Sequence, residues 1–501
     1  MQDEQSIEGL PRQALGETSI LKESYSLLCA RLTRSMLRDL HSLPNSKRLD
    51  LSFGKEPAEL SFGERCYKLF FYTTNAKGNM RVLLISANTE KISILPMPLG
   101  LNYVAAATRN KGHDVRVLDL MVHADFRLPV SDMIKSFAPD VIGISVRNID
   151  DQNMSDPRFM LDEVREVVLH CRGLSDAAIV LGGAGYSIFP EAVLAYLEAD
   201  MGIQGEGESV FPELLKRLEK RSGLAGLPGV YVKGGGLQGQ RSFIRELNAL
   251  DVSGVQSFSS IYDRDLWMPF QTRRGCPLNC SYCSTAAIEG RAIRKRSLPV
   301  SLEEMKAFVN QGFRRFFIVD NTFNLPPSYA EEFCRLIIHH DLNIVWRCIL
   351  YPGYVNEDLI KLMAEAGCTE VSLGFESGCE RILKNMNKKF RPDEIRNTSL
   401  MLAKYNIQQT GFLMLGGPGE TRESALESLA FADSLPLNML KISRGIRIYP
   451  YTTLAKIAAG EGKIASDDNL LKPAFYMVSG IEDWLRETVA SWMAQRKHWM
   501  S

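Results

Sequence analysis

The stretch RGCPLNCSYC, Arg274 to Cys283, carries three cysteines at positions 276, 280 and 283. A C-x-x-x-C-x-x-C spacing lets three sulfurs converge from a single loop, whereas a disulfide would use two and strand the third. The other seven of the chain's 10 cysteines are scattered. Structural zinc wants four closed ligands, usually as C-x-x-C or Cys/His pairs, and no histidine or further cysteine lies near this loop. Three cysteines around a four-iron, four-sulfur cluster, by contrast, leave one iron open to a substrate or cofactor.

At this loop the chain resembles the radical S-adenosylmethionine (radical SAM) superfamily, whose signature adds an aromatic before the last cysteine, here Tyr282. The resemblance runs from about residue 262 to 475. It implies a cluster held by Cys276, Cys280 and Cys283, and S-adenosylmethionine (SAM) bound at the open iron. Reduction then breaks a C–S bond to give a 5′-deoxyadenosyl radical. It also implies that Asp320 and Asn321 in VDNTFN lie near the methionine moiety. Glu376 in LGFESG would accept from ribose hydroxyls or the ammonium, and Gly416 and Gly417 in LMLGGPGET would lie near the adenine. From the residues alone, Glu376 and Asp320 could equally cap helices, and the glycines could be turn glycines. Where relatives often carry Pro-Gly-Thr, this chain has Pro450, Tyr451 and Thr452, which leaves the backbone there open.

Elements that would position these residues alternate between strand and helix. PFQTRRG (269 to 275), RFFIVD (315 to 320), IVWRCI (344 to 349), EVSLGFE (370 to 376), TGFLML (410 to 415) and KISRGIRIY (441 to 449) read as six strands separated by amphipathic helices. Six such units make most of a barrel, and the cysteine loop falls at its carboxyl end, where active sites of barrels sit. Ahead of it, RVLLIS (81 to 86), VRVLDL (115 to 120), DVIGIS (140 to 145), AIVLGG (178 to 183) and MGIQGE (201 to 206) read as a parallel sheet covered on both faces. Its ligand would lie beyond the carboxyl ends of the strands.

That first region, with PMPLGLNYVAAATRNKGHDVRVLD, PDVIGISVRNIDDQ, VLGGAGYSIFPEAV and GIQGEGESVFPELL, resembles the cobalamin-binding domain fused ahead of many radical SAM enzymes. The resemblance implies a corrin over Ser145, Gly182, Gly183, Gly205 and Glu206, with Arg147 and Asn148 as candidates for its lower face. Asp-x-His-x-x-Gly, which supplies an imidazole to cobalt, is missing, since His113 and His123 lack its neighbours. Cobalt without a protein imidazole is therefore expected. Arg147 could instead be a surface ion-pair residue.

The expected fold is α/β: a doubly wound parallel-sheet cobalamin-binding domain (80 to 226), a linker (227 to 261), a partial (β/α)6 barrel of the radical SAM type (262 to 475) and a tail (476 to 501). Residues 1 to 79 form an extension of unknown role, with helical periodicity at 19 to 40, and Met80 is as plausible a natural start. Lys+Arg and Asp+Glu both number 59, which argues against general nucleic-acid binding. No run of about 18 apolar residues and no signal peptide is visible, so a cytoplasmic location is expected.

Together these readings imply an oxygen-sensitive, cobalamin-dependent radical SAM methyltransferase acting on an unactivated carbon of a small molecule, lipid or peptide. One SAM would methylate cob(I)alamin and a second would give the radical, with a flavodoxin or ferredoxin type donor restoring the cofactor. The alternatives are a cyclase, ring-rearranging enzyme or oxidase using both cofactors without methyl transfer, and a non-catalytic cobalamin or iron–sulfur sensor.

Overall fold

The computed structural model describes residues 79–89, 97–250, 265–496 and 499–500, all within one compact unit spanning Cys66–Ser501. The helical periodicity at 19 to 40 lies outside the described residues.

The first sheet has the order β2-β1-β3-β4-β5-β6-β7. Its parallel core is β1 (Arg81–Ser86), β2 (Asp114–Asp119), β3 (Val141–Ser145), β4 (Ala178–Gly182) and β5 (Met201–Ile203). These strands read as continuous apolar runs because helices cover both faces, among them α1 (Leu99–Arg109), α2 (Arg127–Phe137), α3 (Leu161–Leu174) and α4 (Gly207–Glu219). MGIQGE yields only three strand residues, since the chain leaves the sheet at Gln204 toward the turn that opens α4.

Of the stretch expected as a linker, 227 to 250 is described and is not free chain, while 251 to 261 lies outside the described residues. Val230–Val232 (β6) pairs antiparallel with β5, and Gly236–Leu237 (β7) pairs back on β6. The glycine run at 234 to 236 is the tight turn of this hairpin. The sheet therefore continues past the boundary expected at 226.

The second sheet, ordered β18-β15-β14-β13-β12-β11-β8, is parallel and does not close. Its strands are β8 (Met268–Phe270), β11 (Arg315–Ile318), β12 (Val345–Leu350), β13 (Cys368–Glu376), β14 (Gln408–Leu415), β15 (Met439–Arg444) and β18 (Trp499–Met500). PFQTRRG breaks after Phe270, and Arg273–Arg274 (β9) turns to pair antiparallel with Arg294–Lys295 (β10). KISRGIRIY also splits, because Arg444 pairs with β14 while Ile446–Arg447 (β16) pairs with Phe475–Tyr476 (β17). The tail is a further unit of the barrel: helix Glu482–Ala494 leads to β18, which lies parallel to β15.

Along these strands the residues alternate between the helix-covered core and the barrel lumen. Phe316 and Ile318, Trp346, Cys348 and Leu350, and Val371, Leu373 and Phe375 belong to the core. Phe317, Arg347, Glu370 and Ser372 consequently face the lumen. The two regions share apolar core, since the layer on one face of the first sheet continues into Ile382, Met386, Ile446, Ile448 and Leu454. A buried ion pair, Arg447 Nε to Asp150 Oδ2 at 2.8 Å, crosses the same contact.

Candidate active site

The cysteine loop leaves β9 and is fastened at several points. Cys276 N donates to Gly290 O (3.1 Å), Ser281 N to Met386 O (3.0 Å) and Leu454 N to Ser281 O (2.8 Å). Asn387 Nδ2 holds Asn279 O at 2.5 Å. Cys276 is buried, Cys280 half-buried and Cys283 exposed. Burial raises the Cys280 thiol and pushes Cys276 up to about 11, and the neighbouring thiols add to both; a metal would displace these protons. Among the described residues no three His, Cys, Asp or Glu side chains converge on a point where one metal ion could sit. A four-iron cluster makes a different demand, because each thiolate takes a different iron and the sulfurs stand further apart. The donor set fits such a cluster.

Glu376 ends β13 in a left-handed conformation (φ +63°), after a register shift between Gly374 and Glu376. This sparsely populated geometry turns its carboxylate toward the cysteine loop, a form of strain common at functional sites. Its Oε1 accepts from Tyr282 Oη (3.0 Å) and Lys388 Nζ (3.1 Å). The Lys388 charge also acts on the Cys280 thiol, and its Nζ lies 5.3 Å from the Tyr282 ring centroid and 5.8 Å from that of Phe390. Burial by itself would lower the Lys388 ammonium, but Glu376, Tyr282 and Cys280 together outweigh it and hold the group well above the usual lysine range. Glu376 thus belongs to the cysteine site and caps no helix. Lys388 was missed in the sequence, where NKKF carries no periodicity to single it out.

Asp320 does a structural job. It is fully buried and accepts from Thr272 N (2.8 Å), Thr272 Oγ1 (2.5 Å), Arg273 N (3.1 Å) and Arg273 Nε (3.0 Å), so its carboxylate brackets the segment that leads into the cysteine loop. Asn321 donates to Glu289 Oε2 at 2.5 Å, and Glu289 in turn accepts from Gly275 N at 2.9 Å. Gly416 has the left-handed backbone (φ +91°) that favours glycine, and a Cβ there would also press on Met477 Sδ at 2.4 Å; at Gly417 it would meet Ile446 at 3.0 Å. Tyr451 adopts the left-handed backbone (φ +63°) that glycine would favour, with its side chain 91 % exposed, and Thr452 caps the following helix through Ala455 N. The sixth-strand turn is therefore kept despite the larger residue.

Beyond the carboxyl ends of the first sheet lies a cavity of about 420 Å³, within an atom-free space of about 1780 Å³ that continues into open solvent. Ser145, Arg147, Gly182, Gly183, Gly205 and Glu206 line one side. Trp267, Pro269, Gln271, Glu289 and Phe317 of the barrel line the other. The wall is shaped for a broad ligand. A Cβ on Gly182 would meet nothing within 4 Å and would project into the space, while one on Gly183 (φ +100°) would strike Val146 O at 2.5 Å. Asn148 Nδ2 donates to Asn88 Oδ1 (3.4 Å), and the buried Asn88 Nδ2 at the cavity has no partner among the described residues, a donor that a ligand amide oxygen could satisfy. The wall thus fits a corrin with its polar side chains. Arg147 forms no ion pair among the described residues. Among the described residues no histidine lines the cavity; His113 sits at the opposite ends of the strands, accepting from Met80 N.

Glu206 reaches the cavity, but its carboxylate is already engaged. Arg294 Nη1 (2.7 Å), Arg274 Nη1 (3.3 Å) and Ile244 N (2.6 Å) hold it, and Arg274 Nη2 holds Glu208 at 2.7 Å. Arg274 is two residues before Cys276. The loop after β5 and the cysteine loop are therefore one buried ionic assembly.

Residues 85–215 match the family model for the B12 binding domain and residues 271–432 that for the Radical SAM superfamily. An uncharacterized methyltransferase of Pyrococcus horikoshii is 26% identical over 83% of this chain and 93% of its own length. Tryptophan 2-C-methyltransferase of Streptomyces laurentii is 24% identical over 72% of each chain. The solved structure of the radical S-adenosylmethionine methyltransferase TsrM from Kitasatospora setae, with cobalamin and [4Fe-4S] cluster bound, superposes with a TM-score of 0.74. It is 20% identical and covers 84% of this chain and 93% of its own. That likeness establishes a common fold. With a B12-binding domain leading into a radical SAM domain, the chain belongs to the radical SAM enzymes that carry a cobalamin-binding domain.

Proposed function

We propose that this chain is a cobalamin-dependent radical SAM methyltransferase that methylates an unactivated carbon. The observation that carries the reading is the shared wall: the cavity over the first sheet is bounded by Gln271, Arg274 and Glu289, which also hold the cysteine loop. Both cofactors would thus address one space. Bound there, they supply a radical that removes a substrate hydrogen and a methyl group that takes its place.

The chain's own residues orient and enclose. Cys276, Cys280 and Cys283 would hold the cluster. Glu376, fixed by Tyr282 and Lys388, presents a carboxylate oxygen to the ammonium or ribose of SAM. Ser145, Gly182, Gly183 and Gly205 would seat the corrin, with Arg147 beneath it. The shared apolar core and the Arg447–Asp150 ion pair would hold the two walls of that space in place. Among the described residues no helix is long and apolar enough to cross a membrane, and we place the enzyme in the cytoplasm with a flavodoxin or ferredoxin type reductant.

Anaerobic reconstitution should give about four irons per chain, lost when all three cysteines are changed to alanine. Turnover with a reductant should then yield 5′-deoxyadenosine and S-adenosylhomocysteine together in the presence of substrate. Deoxyadenosine without S-adenosylhomocysteine would replace methyl transfer by another radical outcome, and a full cluster in the triple variant would move the site.

A further inference from the structure

Inside the barrel, one layer of lumen residues runs across neighbouring strands. Pro269 pairs with Phe317, Phe317 with Arg347, and Arg347 with Glu370. An arginine at this depth is unexpected, because a barrel interior is ordinarily filled by branched apolar side chains. Arg347 is only 9 % exposed. Its guanidinium lies between two rings, with Cζ 4.5 Å from the Trp267 centroid and 4.7 Å from that of Phe317. Arg315 reaches Trp267 as well, at 4.5 Å. Two cations therefore share one indole.

The hydrogen-bonding edges of these cations are poorly used. Arg347 Nη1 lies 3.7 Å from Glu370 Oε2, a loose pairing, and Glu370 also takes a long bond from Thr410 Oγ1 at 3.5 Å. Arg347 Nε and Nη2, and Arg315 Nε, are buried with no partner among the described residues. The Nε–Nη2 side of a guanidinium is a planar fork that matches two oxygens of one anion. Leaving both donors dry and unpaired is costly. The stacked rings fix the plane of the Arg347 guanidinium before any ligand arrives, and both rings line the cavity.

We propose that Arg347, with Arg315 behind Trp267, is the docking point for an oxyanion of the substrate, a carboxylate or a phosphoryl group. The assignment names a substrate class for the site described above and rests on that reading. It places the anionic end on the lumen floor and the remainder of the substrate toward the cavity and the cysteine loop. Arg347 is a binding residue here and takes no part in the chemistry.

The test uses the full-length protein, reconstituted with cluster and cobalamin, titrated calorimetrically with benzoate, phenyl phosphate and the neutral isostere benzamide. Benzoate or phenyl phosphate should bind, benzamide about tenfold or more weakly, and the tighter of the two anions identifies the carboxylate or the phosphoryl group. In Arg347→Gln the anion should lose about ten- to a hundredfold in affinity, the loss of one charge-assisted bidentate contact, while cobalamin binding is unchanged. Arg347→Lys keeps the cation and the stem but not the fork, and should also weaken the anion without altering benzamide; it decides the matter if the glutamine variant does not fold. Binding of neither anion, equal binding of benzamide, or undiminished anion binding in a folded variant would overturn the proposal. The titration involves no SAM turnover, so failure of methyl transfer would leave its result standing.

Discussion

Replacing Arg274 by methionine tests whether the first sheet and the cysteine loop are energetically one site. In the native chain Arg274 meets Glu208 at 2.7 Å and Glu206 at 3.3 Å, all three side chains being 6–7 % exposed. Arg294 still holds Glu206 when Arg274 is gone, at 2.7 Å, so the stranded group is Glu208. Leaving one buried carboxylate without its partner costs about 3–5 kcal/mol. Equilibrium urea unfolding of the full chain, followed by far-ultraviolet circular dichroism, should show that loss in Arg274→Met. The double variant Arg274→Met/Glu208→Leu removes the stranded charge as well and should recover at least about 2 kcal/mol of it, the signature of direct coupling. A single variant that loses less than about 1 kcal/mol, or a double variant no more stable than the single, would refute the coupling.

Two further outcomes follow from particular residues. Burial pushes Glu304 up to about 7 despite its pairing with Arg296, against about 4.3 in an unfolded chain. Between those values the folded chain keeps a proton that the unfolded chain has lost, so stability falls as pH rises and the penalty is complete above about 7. Glu304→Gln should flatten that slope in urea midpoints measured from pH 4 to 8, and an unchanged slope would place the titration elsewhere. Tyr451→Gly should raise stability by about 0.5–1 kcal/mol, since relief of the left-handed backbone exceeds the added chain entropy and an exposed ring is lost; a lower melting temperature would show that the ring makes contacts worth more.

The sheets were legible because a strand covered on both faces must be apolar throughout, and RVLLIS and DVIGIS can be little else. The cysteine loop was legible from spacing alone. What stayed hidden depends on which strand lies beside which. A carboxylate at a strand end looks alike whether it meets a ligand, as Glu376 is placed to do, or brackets the next segment, as Asp320 does. Glu206 invited a cofactor role for the same reason, and its arginine partners come from 68 and 88 residues further along. Arg347 in IVWRCI reads as one polar residue in an apolar run. Only the register beside Phe317 and the stacking on Trp267 reveal a guanidinium with its donors unmet. The glycine run at 234 to 236 suggested flexibility because a tight hairpin turn and a loose connector use the same residue.

The ionic assembly around Arg274 also bears on how the molecule is made. Synthesis runs from the amino terminus, and Glu208 leaves the ribosome 66 residues before Arg274. Until that arginine emerges, the carboxyl end of the first sheet presents acidic side chains without their counterions, and it can finish only as a hydrated, half-assembled rim. Its completion coincides with delivery of the cysteine loop. An amino-terminal fragment ending at 226 would be arrested in this nascent form, missing both the β6–β7 hairpin and its basic partners. The surface on which the corrin would rest is therefore finished only when the polypeptide that carries the cluster thiols has been made.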